Sequence, residues 1–214
     1  MKKNDRPNSP GYLITFEGTD GCGKTTQVEM LVEYLVSFNM RHAVFREPGG
    51  TMVGEQIRQI LEDSNIYDMC AGTEAALFAA ARSQLVHQEV KTALRLGLVV
   101  LLDRYIDSSL AYQGYARGLG FGRVLELNRL AIDDVWPDLT FLIDMDPEVA
   151  MNRLSSIADR IEKLGIEFQH KVRDGYIKVA EMYPDRIRVL DGTRTPQEIF
   201  KDIKMLVDAL IVDD

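Results

Sequence analysis

Short apolar segments alternate with amphipathic segments along most of this chain. The apolar segments are rich in Val, Ile, Leu and Phe, as expected for strands that are buried on both faces of a parallel sheet. Strands are predicted at 13–16, 43–46, 98–102, 139–143 and 187–190. Helices are predicted at 25–37, 55–63, 73–96, 121–132, 147–154, 162–182 and 196–210. This alternation predicts an α/β fold in three layers, α/β/α, with a five-stranded parallel sheet flanked by helices.

The segment after the first predicted strand has the form G-x-x-x-x-G-K-T, the phosphate-binding loop of P-loop NTPases. Its glycines let backbone N–H groups surround a polyphosphate at the start of the next helix. Lys24 would supply a positive charge at the β- and γ-phosphates, and the hydroxyl of Thr25 is a ligand for Mg²⁺. We therefore expect a nucleoside triphosphate to bind at Gly18, Thr19, Asp20, Gly21, Cys22, Gly23, Lys24, Thr25 and Thr26.

Composition excludes several other classes of protein. A chain of 214 residues with 46% hydrophobic and 27% charged residues predicts one globular domain, here 11–214 after a polar, flexible N-terminal extension at 1–10. The net charge of −8 argues against a nucleic acid polymer as partner. Two cysteines, Cys22 and Cys70, indicate neither a disulfide framework nor a zinc site. With no signal peptide and no apolar stretch of about 18 residues, we expect a cytoplasmic protein with no membrane partner.

Charged residues follow two of the other predicted strands, at the edge of the sheet where ligands of open α/β folds bind. Asp103 and Arg104 come directly after the third strand, and Arg46 ends the second. Asp103 would hold Mg²⁺ directly or through water, and Arg104 would bridge the donor and acceptor phosphates. A strand-end cap is the alternative for Asp103, as a plain surface turn is for the segment 46–51.

Two further segments have the composition of a pocket wall. The polar and aromatic segment 107–114 has few apolar residues for a core element, and we interpret it as a loop. Phe78 and Arg82 lie four residues apart on one helical face, where a ring could stack on a base and a guanidinium could bind the base edge. Taken alone, a residue such as Phe78 is more often part of the core, and one such as Arg82 is more often a surface ion-pair partner.

These motifs in this order resemble the thymidylate kinases over nearly the whole chain. The resemblance is carried by the segments 16–27, 46–51, 77–82, 103–114 and 159–162. It implies transfer of the γ-phosphate of ATP to dTMP, giving dTDP and ADP in dTTP biosynthesis, with Mg²⁺ as cofactor and a homodimer as the assembly. It also implies a dTMP site formed by Asp20 at the 3′-hydroxyl, Phe78 and Arg82 at thymine, Ser109 and Gln113 near the base, Tyr112 at the sugar, and Arg46 and Arg104 at the phosphate. The implied site also includes Pro48.

The chain departs from the family pattern in its lid, at about 153–162. Related lids are usually longer and carry further arginines, whereas this lid has only Leu-Ser-Ser-Ile-Ala between Arg153 and Asp159. By position, Arg153 would lie near the adenine, which leaves Arg160 as the catalytic arginine for the transferred phosphoryl group. The alternative is that Arg160 only pairs with the neighbouring carboxylates Asp159 or Glu162.

Two other functional classes remain open on sequence grounds. One is a kinase of the same fold that acts on another pyrimidine nucleotide or on a deoxynucleoside. The other is a nucleotide-binding module that has lost transfer activity, which the short lid would favour. A GTPase is not indicated, because the sequence lacks an Asn-Lys-x-Asp run.

Overall fold

Five parallel strands form one sheet in the order β2-β3-β1-β4-β5. The computed structural model describes residues 11–153 and 160–212. Its strands are β1 (Tyr12–Glu17), β2 (His42–Arg46), β3 (Val99–Asp103), β4 (Leu139–Asp144) and β5 (Ile187–Asp191). Its α-helices are α1 (Lys24–Ser37), α2 (Met52–Glu62), α3 (Ala71–Leu85), α4 (Lys91–Arg95), α5 (Ile106–Ser109), α6 (Phe121–Ile132), α7 (Pro147–Met151), α8 (Ile166–Met182) and α9 (Pro196–Val212).

The two-residue period of the central strands divides the core into two layers. In β1, Leu13 packs on one side of the sheet, whereas Ile14 and Phe16 pack on the other. In β3, Val100 joins the layer of Leu13 and Leu101 joins the layer of Ile14. Helices α3, α6 and α8 cover the first side, and α1 and α9 cover the second. This arrangement confirms the predicted three-layer fold, and it brings the carboxyl ends of β1, β2 and β3 to one edge.

The structure corrects the prediction of a loop after the third strand. Residues 106–116 are helical, with α5 followed by a π-helical segment at Leu110–Ala116. Leu110 and Ala111 are fully buried, so this segment belongs to the core as well as to the pocket wall. Because its polar residues obscured the helical period, composition alone gave the wrong element type.

Two long predicted helices are interrupted. Helix 73–96 is divided by a π-helical turn at Val86–Val90 between α3 and α4. The predicted helix at 162–182 begins as a 3₁₀ turn, Glu162–Leu164, and Gly165 with φ of 82° separates it from α8. The 1–10 extension and lid residues 154–159 lie outside the described residues, and the single-domain boundary stays a prediction. Within the ranges described, no helix is both long and apolar enough to span a membrane.

Candidate active site

A cavity of about 1100 Å³ opens at the carboxyl edge of the sheet. Its walls come from the loop after β1, the segment after β2, helix α3, and the segment from β3 into the π-helical turn. Fifteen of the predicted site residues line it: Asp20, Gly21, Gly23, Lys24, Thr25, Thr26, Arg46, Pro48, Phe78, Asp103, Arg104, Ser109, Tyr112, Gln113 and Arg153. The sequence therefore identified most of the surface of one continuous cavity.

The phosphate loop wraps around the ammonium group of Lys24. Lys24 Nζ donates to the carbonyl oxygens of Gly18 at 3.1 Å and Thr19 at 3.0 Å, and lies 4.0 Å from Asp20 Oδ1. Thr19 and Cys22 are buried, and neither lines the cavity, so they shape the loop from behind. Burial raises the pKa of the Cys22 thiol although Lys24 opposes it, which makes this cysteine a packed loop residue.

Gly21 is required at the turn of this loop for two reasons. Its φ is +81°, a left-handed conformation that disfavours residues with a side chain. In addition, a Cβ atom at this position would lie 2.1 Å from the carbonyl oxygen of Ala150 in α7. The helix that precedes the lid therefore packs directly on the phosphate loop.

Thr25 and Asp103 converge beside Lys24. The Thr25 hydroxyl donates to Asp103 Oδ2 at 3.3 Å, although the two residues are 78 positions apart. The strand β3 pairs with β1 in register from Tyr12 with Val99 to Phe16 with Asp103, which fixes this approach. A hydroxyl and a carboxylate are the oxygen donors that Mg²⁺ prefers, so the residues fit the predicted metal site.

Arg104 connects the phosphate loop to helix α8. Its Nη2 donates to Asp20 Oδ1 at 2.5 Å and its Nη1 to the Gly18 carbonyl at 3.0 Å. Nη1 also reaches the Tyr176 hydroxyl at 2.9 Å. Burial alone would raise the pKa of Asp20, but the charges of Arg104 and Lys24 hold it below its usual value. Asp20 is thus an ionised carboxylate that can accept a hydrogen bond from a hydroxyl group.

Part of the cavity wall combines an aromatic ring with polar side chains. Phe78 on α3 lines it together with the buried side chains of Ser109 and Gln113. The centre of the Tyr112 ring lies 5.3 Å from the guanidinium carbon of Arg104, so Arg104 contacts both this wall and the phosphate loop. At the rim, Arg46 Nη2 pairs with Glu55 at 3.2 Å.

Comparison with known proteins agrees with this geometry. The family model for thymidylate kinase matches residues 16–203. The chain belongs to the thymidylate kinase family. A thymidylate kinase of Thermoanaerobacter sp. (strain X514) is 47% identical over 194 residues, which cover 90% of this chain and 95% of that protein. One from Clostridium novyi (strain NT) is 43% identical over 198 residues, covering 91% and 97%.

A solved structure leads to the same family. The crystal structure of thymidylate kinase from Ehrlichia chaffeensis superimposes with a TM-score of 0.77 at 32% identity. The match covers 94% of this chain and all of that one. The fold and the P-loop architecture expected from the sequence are therefore those of the thymidylate kinase family.

Arg82 differs from the expectation carried over from the thymidylate kinases. It is 1% exposed and does not line the cavity. Its Nε and Nη2 bind Glu47 Oε2 at 2.8 and 2.6 Å, and Nη2 also donates to the Tyr105 carbonyl at 2.9 Å. Its Nη1 donates to Ser109 Oγ and to Asn128 Oδ1. All five N–H donors are taken, so in this arrangement Arg82 orients Ser109 and has no donor left for a base edge.

Arg160 differs more strongly, because it is not on the cavity surface. Its Nε donates to the Leu61 carbonyl at 2.8 Å and its Nη1 lies 2.8 Å from Glu74 Oε2. Among the described residues, no residue of the phosphate loop contacts its guanidinium. The side chains of Asp159 and Glu162, the alternative partners, lie outside the described residues. In this conformation Arg160 connects the end of the lid to α2 through the Leu61 carbonyl and to α3 through Glu74.

Three residues of the site were not assigned a role from the sequence. Glu17 is fully buried behind Arg104, and Arg58 lines the cavity while donating to the Pro48 carbonyl at 3.0 Å. Tyr176 comes from α8, far along the chain. Arg58 and Tyr176 lie on amphipathic helices with no local signal, so only the tertiary fold could identify them.

Proposed function

We propose that this protein transfers the γ-phosphate of ATP to dTMP, giving dTDP and ADP. The observation that carries the proposal is one continuous cavity lined by both a P-loop and a wall for a pyrimidine ring, with Arg104 between them. A module that only binds ATP would have no need for the second wall. The family names of the relatives support the same activity.

Phosphoryl transfer requires two anions to be brought in line and the developing charge to be neutralised. Lys24 would leave the loop carbonyls for the β- and γ-phosphates. Arg104, fixed by Asp20 and Tyr176, would bind the acceptor phosphate on one side and the transferred group on the other. Arg46 at the rim would bind the acceptor phosphate as well, since a guanidinium can hold two oxygens at once.

Mg²⁺ would be held by Thr25 and Asp103, directly or through water. The ion supplies charge neutralisation between the β- and γ-phosphates when it is bound. The adenine would lie toward Arg153, an exposed residue that lines the cavity. Arg160 could contribute a further charge only after leaving Glu74, so its catalytic role requires a lid movement.

The acceptor base would stack on Phe78, with Gln113 and Ser109 at its edge. Tyr112 would lie against the sugar and Asp20 would accept its 3′-hydroxyl. Arg82 would act through Ser109, which it holds at 2.9 Å, unless one of its contacts opens. This assignment favours a pyrimidine, because the wall offers one ring face and a small set of polar groups.

The test is ADP release from Mg²⁺-ATP with dTMP, dUMP, UMP, CMP, AMP, GMP and thymidine as separate acceptors. We expect dTMP to be preferred and Asp103→Ala to abolish turnover. If another nucleotide or thymidine is preferred, that compound replaces dTMP as the proposed acceptor. Binding of dTMP without turnover in the wild-type protein would identify a nucleotide-binding module instead of a kinase.

We also propose a homodimer formed through the helices at 73–96 and 121–132. Helix α6 supports this proposal because Leu130 is 84% exposed and Leu127 is 39% exposed on it. Light scattering of the purified protein would test it, and Leu130→Glu should then yield a monomer. A monomeric wild-type protein at micromolar concentration would contradict the assignment.

A further inference from the structure

Glu74 on α3 is a buried carboxylate that binds three side chains from two other segments. Its Oε1 accepts from Gln113 Nε2 at 3.0 Å and from Arg117 Nε at 3.1 Å. Its Oε2 accepts from Arg117 Nη2 at 2.7 Å and lies 2.8 Å from Arg160 Nη1. Glu74 itself is 1% exposed. The carboxylate therefore has both oxygens occupied and does not contact the cavity.

The charge of Glu74 decides which way the Gln113 amide faces. An ionised carboxylate only accepts hydrogen bonds, whereas an amide has a donating and an accepting end. The reverse orientation would place the amide oxygen against a carboxylate oxygen at hydrogen-bond distance, which is repulsive. Burial alone would raise the pKa of Glu74, but Arg117 and Gln113 hold it below its usual value, so the group stays ionised.

With its Nε2 turned to Glu74, Gln113 presents Oε1 as its acceptor. Gln113 lines the cavity, and among the described residues no N–H or hydroxyl donates to this Oε1. Thymine and uracil carry an N–H at ring position 3, where cytosine carries a bare nitrogen that only accepts. An acceptor fixed on the pocket wall therefore attracts the edge of thymine and repels that of cytosine.

We propose that Glu74 is a positioning residue for acceptor specificity, which fixes the Gln113 amide so that the site selects a pyrimidine with an N–H at position 3. The inference rests on the proposed function and adds to it a residue that touches no substrate. Arg117 and Arg160 neutralise Glu74, and Arg160 thereby ties the end of the lid to the same carboxylate.

The decisive variant is Glu74→Gln, which keeps the shape but can offer Gln113 either a donor or an acceptor. We expect the ratio of kcat/KM for dTMP to that for dCMP to fall by about tenfold or more, because Gln113 can then reverse. The ratio of dTMP to dUMP should stay unchanged, since both bases carry the same N–H. A general loosening of the pocket would change both ratios.

Two matched controls separate positioning from structural damage. Arg117→Gln removes a neighbour of Glu74 but leaves the Glu74 carboxylate hydrogen-bonded to Gln113. It should therefore keep the ratio of kcat/KM for dTMP to that for dCMP. Adding Glu74→Gln to Gln113→Ala should have no further effect on that ratio, as required if Glu74 acts through Gln113. If Glu74→Gln does not fold, the charge-compensated pair Glu74→Gln with Arg117→Gln carries the same measurement.

An unchanged dTMP to dCMP ratio in the folded variant would overturn the inference, as would an equal change in the Gln113→Ala background. Either result leaves the proposed function intact as long as the wild-type protein phosphorylates dTMP. Failure of the wild-type protein to phosphorylate dTMP would instead overturn the proposed function.

Discussion

The carboxyl group of Glu17 should make the stability of this protein depend on pH near neutrality. Glu17 ends β1 and is fully buried. Its Oε1 accepts from the Tyr105 backbone N–H at 2.7 Å, and its Oε2 accepts from Ser108 Oγ at 2.6 Å and from the Tyr176 hydroxyl at 3.0 Å. Burial first, and the nearby charge of Asp107 second, raise the pKa of Glu17 from 4.5 to about 7, although Arg104 opposes the shift.

The sign and size of the effect follow from linkage. Because the pKa is higher in the folded state, the folded protein binds this proton more tightly than the unfolded chain does. The stabilisation is complete below about pH 4.5 and is lost as the pH rises through about 7. A difference of about 2.5 pKa units corresponds to about 3 kcal/mol in the free energy of unfolding.

Glu17→Gln tests this prediction, because the amide mimics the protonated acid and does not titrate. Urea unfolding gives the free energy of unfolding of both proteins at each pH from about 5 to about 8. The value for the wild type is subtracted from that for the variant, so the contributions of all other titrating groups cancel. We expect the variant to gain about 2.5 kcal/mol relative to the wild type over this range, because part of the full effect lies below about pH 5. A difference that stays constant within about 0.5 kcal/mol would refute the reasoning.

Three other substitutions test the contacts of the site. Tyr176→Phe removes the hydroxyl that accepts from Arg104 and should lower kcat about fivefold, roughly 1 kcal/mol. The control Tyr34→Phe, far from the site, should leave kcat unchanged. Equal kcat values for the two variants would contradict a positioning role for Tyr176. Gly21→Ala should abolish ATP binding in a calorimetric titration, and retained affinity would show that the loop tolerates a side chain there. Arg160→Ala should lower the free energy of unfolding by about 3 kcal/mol in urea, because one partner of a buried ion pair is removed. In the same variant, a loss of turnover below about threefold would contradict a role for Arg160 at the transferred phosphoryl group.

The sequence predicted the parts of the site that local motifs encode. Asp103, Phe78 and most of the phosphate loop line the cavity as expected, since each follows a strand or occupies a helical face that the pattern defines. Gly18, Thr19 and Cys22 are the loop residues that do not line it. Arg82 was different, because the number of donors left on a guanidinium depends on partners such as Glu47, which no spacing indicates.

Contacts between residues far apart in the chain were the main feature of the site that could not be predicted from the sequence. Glu74 lies only four residues before Phe78, yet its importance comes from Arg117 and Arg160, which the chain brings to it from 43 and 86 positions away. A glutamate on a helix is ordinarily a solvated residue. Only its burial, which depends on three packed segments, distinguishes this one.

Arg104 shows how the fold prepares the site before any substrate binds. Its backbone has φ of +70°, an uncommon conformation for a residue with a side chain, and its N–H donates to the Phe16 carbonyl at 3.0 Å. This turn directs the guanidinium back to the phosphate loop, where Asp20 takes one N–H of Nη2. Asp20 and the Gly18 carbonyl thus hold the guanidinium in place beside the phosphate loop. Because its position is already fixed, the binding of a phosphate need not order this side chain.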